Sequence, residues 1–115
     1  MRILFIHQNF PGQYLHIVQR LAQIGSHQLV ALGINPLDRS RQLPDSLQHF
    51  RYRLDRGNSK DVHPLVMETE TKVIRAEGCA RAAKKLKDKG FTPDLICAHA
   101  GWGESLFLKT IWPTS

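Results

Sequence analysis

Two short turns hold most of the residues in this chain that could do chemistry. One is His7-Gln8-Asn9-Phe10-Pro11-Gly12-Gln13, and the other is His99-Ala100-Gly101-Trp102-Gly103-Glu104. Each opens on a histidine and carries glycine just before a segment of helical pattern. An imidazole changes charge near neutrality, so it can accept a proton or hold a hydroxyl group. Gly12, Gly101 and Gly103 permit unusual backbone angles and close approach of a ligand. Helix N-termini behind them would present N–H groups to an anion, worth about 0.3–1 kcal/mol each. Trp102 has two uses open to it, stacking on a sugar ring or roofing the core. Glu104 can accept hydrogen bonds from hydroxyls or serve only as an acid favoured by a helix dipole. His7 can bind or merely end a strand. His16, His27, His49 and His63 lie outside such turns and read as surface or core residues.

Other chemistries are excluded by what the turns lack. A dinucleotide fingerprint needs three glycines in G-x-G-x-x-G, and the turn after residue 6 has one; no GK[ST] follows for a triphosphate loop. No His, Asp or Glu spacing stands out as a metal site, and no cofactor is expected. Cys79 and Cys97 have no ligand-like spacing and read as reduced core thiols of a cytoplasmic protein.

The elements that position the turns follow from hydrophobic pattern. Residues 2–6 (RILFI) are an unbroken apolar run, as in a strand covered on both faces of a parallel sheet. From Gln13 the pattern turns helical, with Leu15, Val18, Leu21 and Ala22 on one face and Gly25 as the stop. Residues 28–32 (QLVAL) form a second buried strand, completing a unit of βαβ size. Residues 33–47 read as a loop. Residues 48–53 (QHFRYR) alternate and read as a half-exposed strand near an edge, followed by a loop over 54–65.

Residues 67–89 are the longest helical pattern, with Val73, Ala76, Ala80, Ala83 and Leu86 as a stripe that lets the helix pack closely. Glu68 and Glu70 fall in its first turns, Lys84, Lys85, Lys87 and Lys89 in its last, and Gly90 ends it. Residues 94–98 (DLICA) form a buried strand, and a short helix from Ser105 ends at Pro113.

The order β-α-β-β-α-β-α predicts an α/β fold, a Rossmann-like three-layer sandwich with a mostly parallel sheet. In that arrangement 2–6 and 94–98 are neighbours flanking the topological switch point, where ligands bind outside the carboxyl ends of the strands. Both turns then converge on one site.

With 115 residues the chain holds one domain at most. Area scaling gives a folded surface of roughly 6,400 Å² against roughly 19,000 Å² unfolded, enough for one core. No apolar run approaches the ~18 residues of a membrane helix, and Ile3–Ile6 is too short for a signal peptide. The formal charge of +6 raises nucleic acid as a partner, but the Lys-rich helix end lacks interleaved aromatics and reads as a solvated face.

HQNFPGQ, LAQIGSH and PDLICAHAGWGESLFLK together resemble a bacterial branch of glycosyltransferase family four, along nearly the whole chain. The resemblance implies a retaining enzyme of the GT-B fold, whose two Rossmann-like domains face a cleft. Residues 1–115 would be the N-terminal, acceptor-side domain, truncated. The donor-binding domain, with its Glu-x7-Glu motif, would be absent and the chain inactive alone. Asn9, Phe10, Pro11, Gly12 and Gln13 would match the loop over donor phosphates and acceptor. His99 would face the reacting sugar, with Gly101, Trp102, Gly103 and Glu104 behind it. The partners implied are a nucleotide-sugar donor, held by the missing domain, and a carbohydrate or lipid-linked acceptor. A stand-alone module for a small anionic or phosphorylated ligand is the alternative, and an exposed sheet edge would also permit a homo-oligomer.

Overall fold

The short apolar runs become the inner strands of a four-stranded, all-parallel sheet. The computed structural model describes residues 1–37 and 42–114. Its strands are β1 (Arg2–Ile6), β2 (Gln28–Gly33), β3 (Gln48–Arg51) and β4 (Leu95–Ala98), in the spatial order β3-β2-β1-β4. The helices are α1 (Leu15–Ile24), α2 (Pro64–Asp88) and α3 (Leu108–Ile111). Register runs Ile3↔Leu29 on one side of β1 and Ile3↔Leu95 on the other, so the first strand is central. The expected adjacency of 2–6 and 94–98 is therefore present.

Alternation along the strands makes two cores, one per face. Ile3, Phe5, Leu29 and Ala31 pack with Phe10, Tyr14 and Val18 on the α1 face. Leu4, Ile6, Val30 and Leu32 pack with Cys79, Ala83, Leu86, Leu108 and Trp112 on the α2–α3 face. This is the three-layer arrangement. Residues buried on both faces explain why β1 and β2 are apolar after Arg2 and Gln28, while β3, at the edge, has both ends exposed and only His49 and Phe50 half-buried.

Helix ends follow local chemistry. Gly25 closes α1 at φ 79°, donating its N–H to the Leu21 carbonyl. Gly90 follows α2 at φ 93°. α2 starts three residues before the expected position, because Pro64 suits the first turn and His63 caps it, its Nδ1 accepting from Leu65 N at 3.2 Å. The glutamates Glu68 and Glu70 thus lie beyond the first turn. The buried face of α2 is Ile74, Ala76, Gly78, Cys79, Ala83 and Leu86, with Val73 and Ala80 only half-buried. The expected stripe was rotated slightly off this face. Gly78 explains the shift: a Cβ there would lie 2.3 Å from the Arg53 carbonyl oxygen, so the helix crosses the chain after β3 at backbone contact.

Three further expectations are corrected. β4 is not fully buried: Leu95 is 46% exposed, since no strand covers its outer edge among the described residues. β3 ends at Arg51 rather than 53. The last helix begins at Leu108, not Ser105, because residues 103–107 are used in successive turns, Leu106 N bonding to the Gly103 carbonyl and Leu108 N to that of Ser105. Within the expected 33–47 loop, residues 38–41 lie outside the described residues.

At 25 residues α2 is about 37 Å long, roughly twice the length of the strands. Its buried residues start at Ile74, while Leu65, Val66 and Met67 near its start are exposed.

Candidate functional site

The carboxyl ends of β1 and β4 lie side by side, and the two turns that leave them meet. His7 follows β1 and is 9% exposed. Its ring is edge-on to Trp102, with centroids 4.8 Å apart and an interplanar angle of 75°. His99 follows β4 and stacks on the same indole at 4.5 Å and 19°. One tryptophan is thus held between two imidazoles that are 92 positions apart in the chain. Trp102 itself is half-buried.

Glycine makes this contact geometry attainable. At Gly12, φ is 46° and a Cβ would lie 2.3 Å from His7 Nε2, inside the imidazole's own space. The turn therefore closes over His7 only with hydrogen at that position. Phe10-Pro11 is a cis peptide bond within this turn. Gly103 plays the same part in the second turn: at φ 94°, its Cβ would meet the Lys72 carbonyl oxygen at 2.6 Å, which seats the turn on α2.

Burial lowers the His7 pKa below its ordinary value, against the opposing pull of the Asn9 backbone contact and the Glu104 charge, and the imidazole of His99 adds the smallest push downward. His7 Nδ1 accepts the Asn9 backbone N–H at 3.1 Å. That bond requires an unprotonated Nδ1, so a neutral ring carries its proton on Nε2.

Glu104 is 2% exposed and turned inward. Its Oε1 accepts from Gln8 Nε2 at 2.7 Å and from Tyr52 Oη at 2.8 Å. Burial, with the Glu104 charge beside it, pushes the Tyr52 pKa up, so the phenol remains a donor. In the sequence Tyr52 had no assigned role, and Gln8 none beyond its place in the first turn. The alternation of 48–53 put Tyr52 on an inward register, but nothing local pointed to its partner.

The remaining candidate residues divide by exposure. Asn9, Gln13 and Gly101 are exposed, Gly12 and Gly103 half-buried. Phe10 is 2% exposed and packs its ring near Phe5 and His49, and Pro11 is buried too. Those two shape the turn from inside, leaving Asn9 and Gln13 exposed on it. Asn9 is held by Asn35, whose Nδ2 donates to its Oδ1. Behind the first turn, Gly12–Tyr14 form a 3₁₀ turn that runs into α1. Behind the second, α3 has only four residues, too few for the helix dipole the sequence suggested.

Among the described residues, no group of three or more His, Cys, Asp or Glu side chains is arranged to hold a metal ion. No helix is long and apolar enough to cross a membrane. Lys84, Lys85, Lys87 and Lys89 are all exposed. Lys87 Nζ donates to the Ile111 carbonyl at 2.9 Å and Lys89 lies 6.0 Å above the Phe50 ring, so this end of α2 is partly tied to its own fold.

The sequence profile of the glycosyl transferase family 4 group matches residues 25–115. The match takes in β2 to α3 and the turn from His99 to Glu104, and begins after the turn from His7 to Gln13. No curated protein and no solved structure matches the chain.

Proposed function

This chain belongs to the glycosyl transferase family 4 group, whose role is glycosyl transfer between a sugar donor and an acceptor, and from that premise we propose a specific part for it. It forms the N-terminal, acceptor-side half of a GT-B enzyme. The second α/β half carries a nucleotide-sugar donor, and the acceptor is a carbohydrate or a lipid-linked sugar.

One observation carries the reading. The two chemically richest turns meet at the carboxyl edge, between β1 and β4, where a doubly wound sheet binds its ligands. There His7, Trp102 and His99 form a single aromatic group. In this proposal His99, the exposed member, faces the reacting sugar and holds a hydroxyl of it through an imidazole nitrogen. Trp102, half-buried, offers its indole to the apolar face of a sugar ring. Asn9, Gly12 and Gln13 line the approach to the donor phosphates. Gly101 and Gly103 give the second turn its shape. No protein nucleophile is assigned; His99 accepts a hydrogen bond from the sugar hydroxyl, and the lone pair it presents favours the positive charge that develops on the sugar as the diphosphate leaves.

The reading frame beyond codon 115 in the source gene tests the two-domain proposal. It predicts a second α/β pattern containing Glu-x7-Glu. A stop at codon 116 would refute it and leave a small anion-binding module in its place.

A further inference from the structure

Glu104 has no contact with substrate in the reading above, and its surroundings point to another task. It is a buried carboxylate, and none of the ion pairs among the described residues includes it. Burying such a group is costly unless neighbouring donors satisfy it. Here both donors are neutral, and both bond the same oxygen, Oε1. Gln8 comes from the turn after β1, 96 positions away, and Tyr52 from the chain leaving β3, 52 positions away. Glu104 itself belongs to the turn after β4. Three segments that leave the sheet at its carboxyl edge are therefore fastened at one atom.

The fastening is braced from outside. Gly103, next to Glu104, sits against the Lys72 backbone, and the Tyr52 ring lies against Gly78, both on α2. Within the site, Gln8 is the neighbour of His7, and Glu104 is two residues from Trp102. Moving the carboxylate would move both partners of the aromatic group.

We infer that Glu104 is the positioning residue of the site: with Gln8 and Tyr52 it locks the turns after β1 and β4 together and so fixes the His7–Trp102–His99 stack. The inference rests on the proposed function for the purpose of the stack, but its test reads the stack itself and needs no substrate. A failure of the transferase reading therefore leaves the test interpretable.

The experiment follows the ring resonances of His7, His99 and Trp102 by NMR in Tyr52→Phe, Glu104→Gln and Glu104→Ala. Trp102→Ala supplies the His99 shift expected when the stack is fully lost. Tyr52 makes no ring contact with either imidazole or with Trp102 among the described residues, so removing its hydroxyl touches the stack only through Glu104. Tyr52→Phe is expected to move the His99 resonance through most of the Trp102→Ala shift. Glu104→Gln keeps an oxygen able to accept both bonds and is expected to retain the stack, where Glu104→Ala loses it. A merely structural hydroxyl would lower Tm and leave the ring resonances in place. That outcome overturns the inference, as does a Glu104→Gln variant whose stack is lost as fully as in Glu104→Ala. Tyr52→Phe and Glu104→Gln keep the test decisive if Glu104→Ala fails to fold.

Discussion

Replacing Gly12 by alanine tests whether the first turn closes over His7 as described. Two costs are expected, and a second glycine separates them. Gly25 also has positive φ, 79°, but nothing lies within 4 Å of the position its Cβ would take. Gly25→Ala therefore carries only the left-handed backbone penalty, about 1–2 kcal/mol. Gly12→Ala carries a similar penalty at φ 46° and adds a Cβ within 2.3–2.8 Å of three atoms of the His7 ring. That ring is wedged near Tyr14 and Trp102, at 6.1 and 4.8 Å between centroids, so it has little room to retreat. Overpacking of this kind costs about 1–3 kcal/mol. Thermal unfolding should show Gly12→Ala below Gly25→Ala by about 4–12 °C, at roughly 4 °C per kcal/mol for a domain of this size. The His7 ring resonances should move in Gly12→Ala only. Equal Tm values for the two variants, with His7 undisturbed, would refute the argument.

Other outcomes follow from the same geometry. Burial lowers the pKa of both His7 and His49, so in the window just below 6.5 the unfolded chain binds more protons than the folded one. Stability is then complete above the unfolded value and falls as pH drops toward the folded values; His49→Gln should flatten the Tm-against-pH curve between pH 7.5 and 5.5, and an unchanged curve would contradict it. Glu104→Gln removes one of the two influences that partly offset burial at His7, so an NMR titration of His7 should show its pKa lower than in the wild type. Burial pushes the Cys79 thiol up to about 12, whereas Cys97 is only half-buried; iodoacetamide at pH 8, read by mass spectrometry, should label Cys97 well before Cys79. Comparable labelling of the two would mean α2 does not pack as described.

What was legible in the sequence was whatever a short window could carry. The apolar runs at 2–6 and 28–32 became central strands because parallel strands are covered on both faces, and alternation at 48–53 marked the edge. Gly25 and Gly90 ended helices as their φ values require. The convergence of the two turns was legible too, since the order of elements fixes which strands flank the switch point. Contacts between distant residues were not. Nothing near Glu104 says that its donors are Gln8 and Tyr52, so it read as an acceptor for ligand hydroxyls or as an acid at the start of a helix that in fact begins later. The rotated face of α2 has the same origin: Gly78 and Ile74 are inward because the helix crosses Arg53, a tertiary contact with no local signal. Pro64 did offer a signal for an earlier helix start, but lay within what the turn residues 57–64 made look like loop.

The claim that the His7–Trp102–His99 group is the site of glycosyl transfer is tested most directly in the product of the complete gene. Wild-type and His99→Ala proteins would be incubated with UDP-, GDP- and ADP-linked sugars and a mixed sugar and lipid-linked acceptor pool, and nucleoside diphosphate release would be followed by chromatography. The account predicts release from one of these donors, and a fall of about 100-fold or more in His99→Ala, the order of loss when one preorganised polar group at a developing charge is removed. Release at the wild-type rate by a folded His99→Ala protein would contradict it.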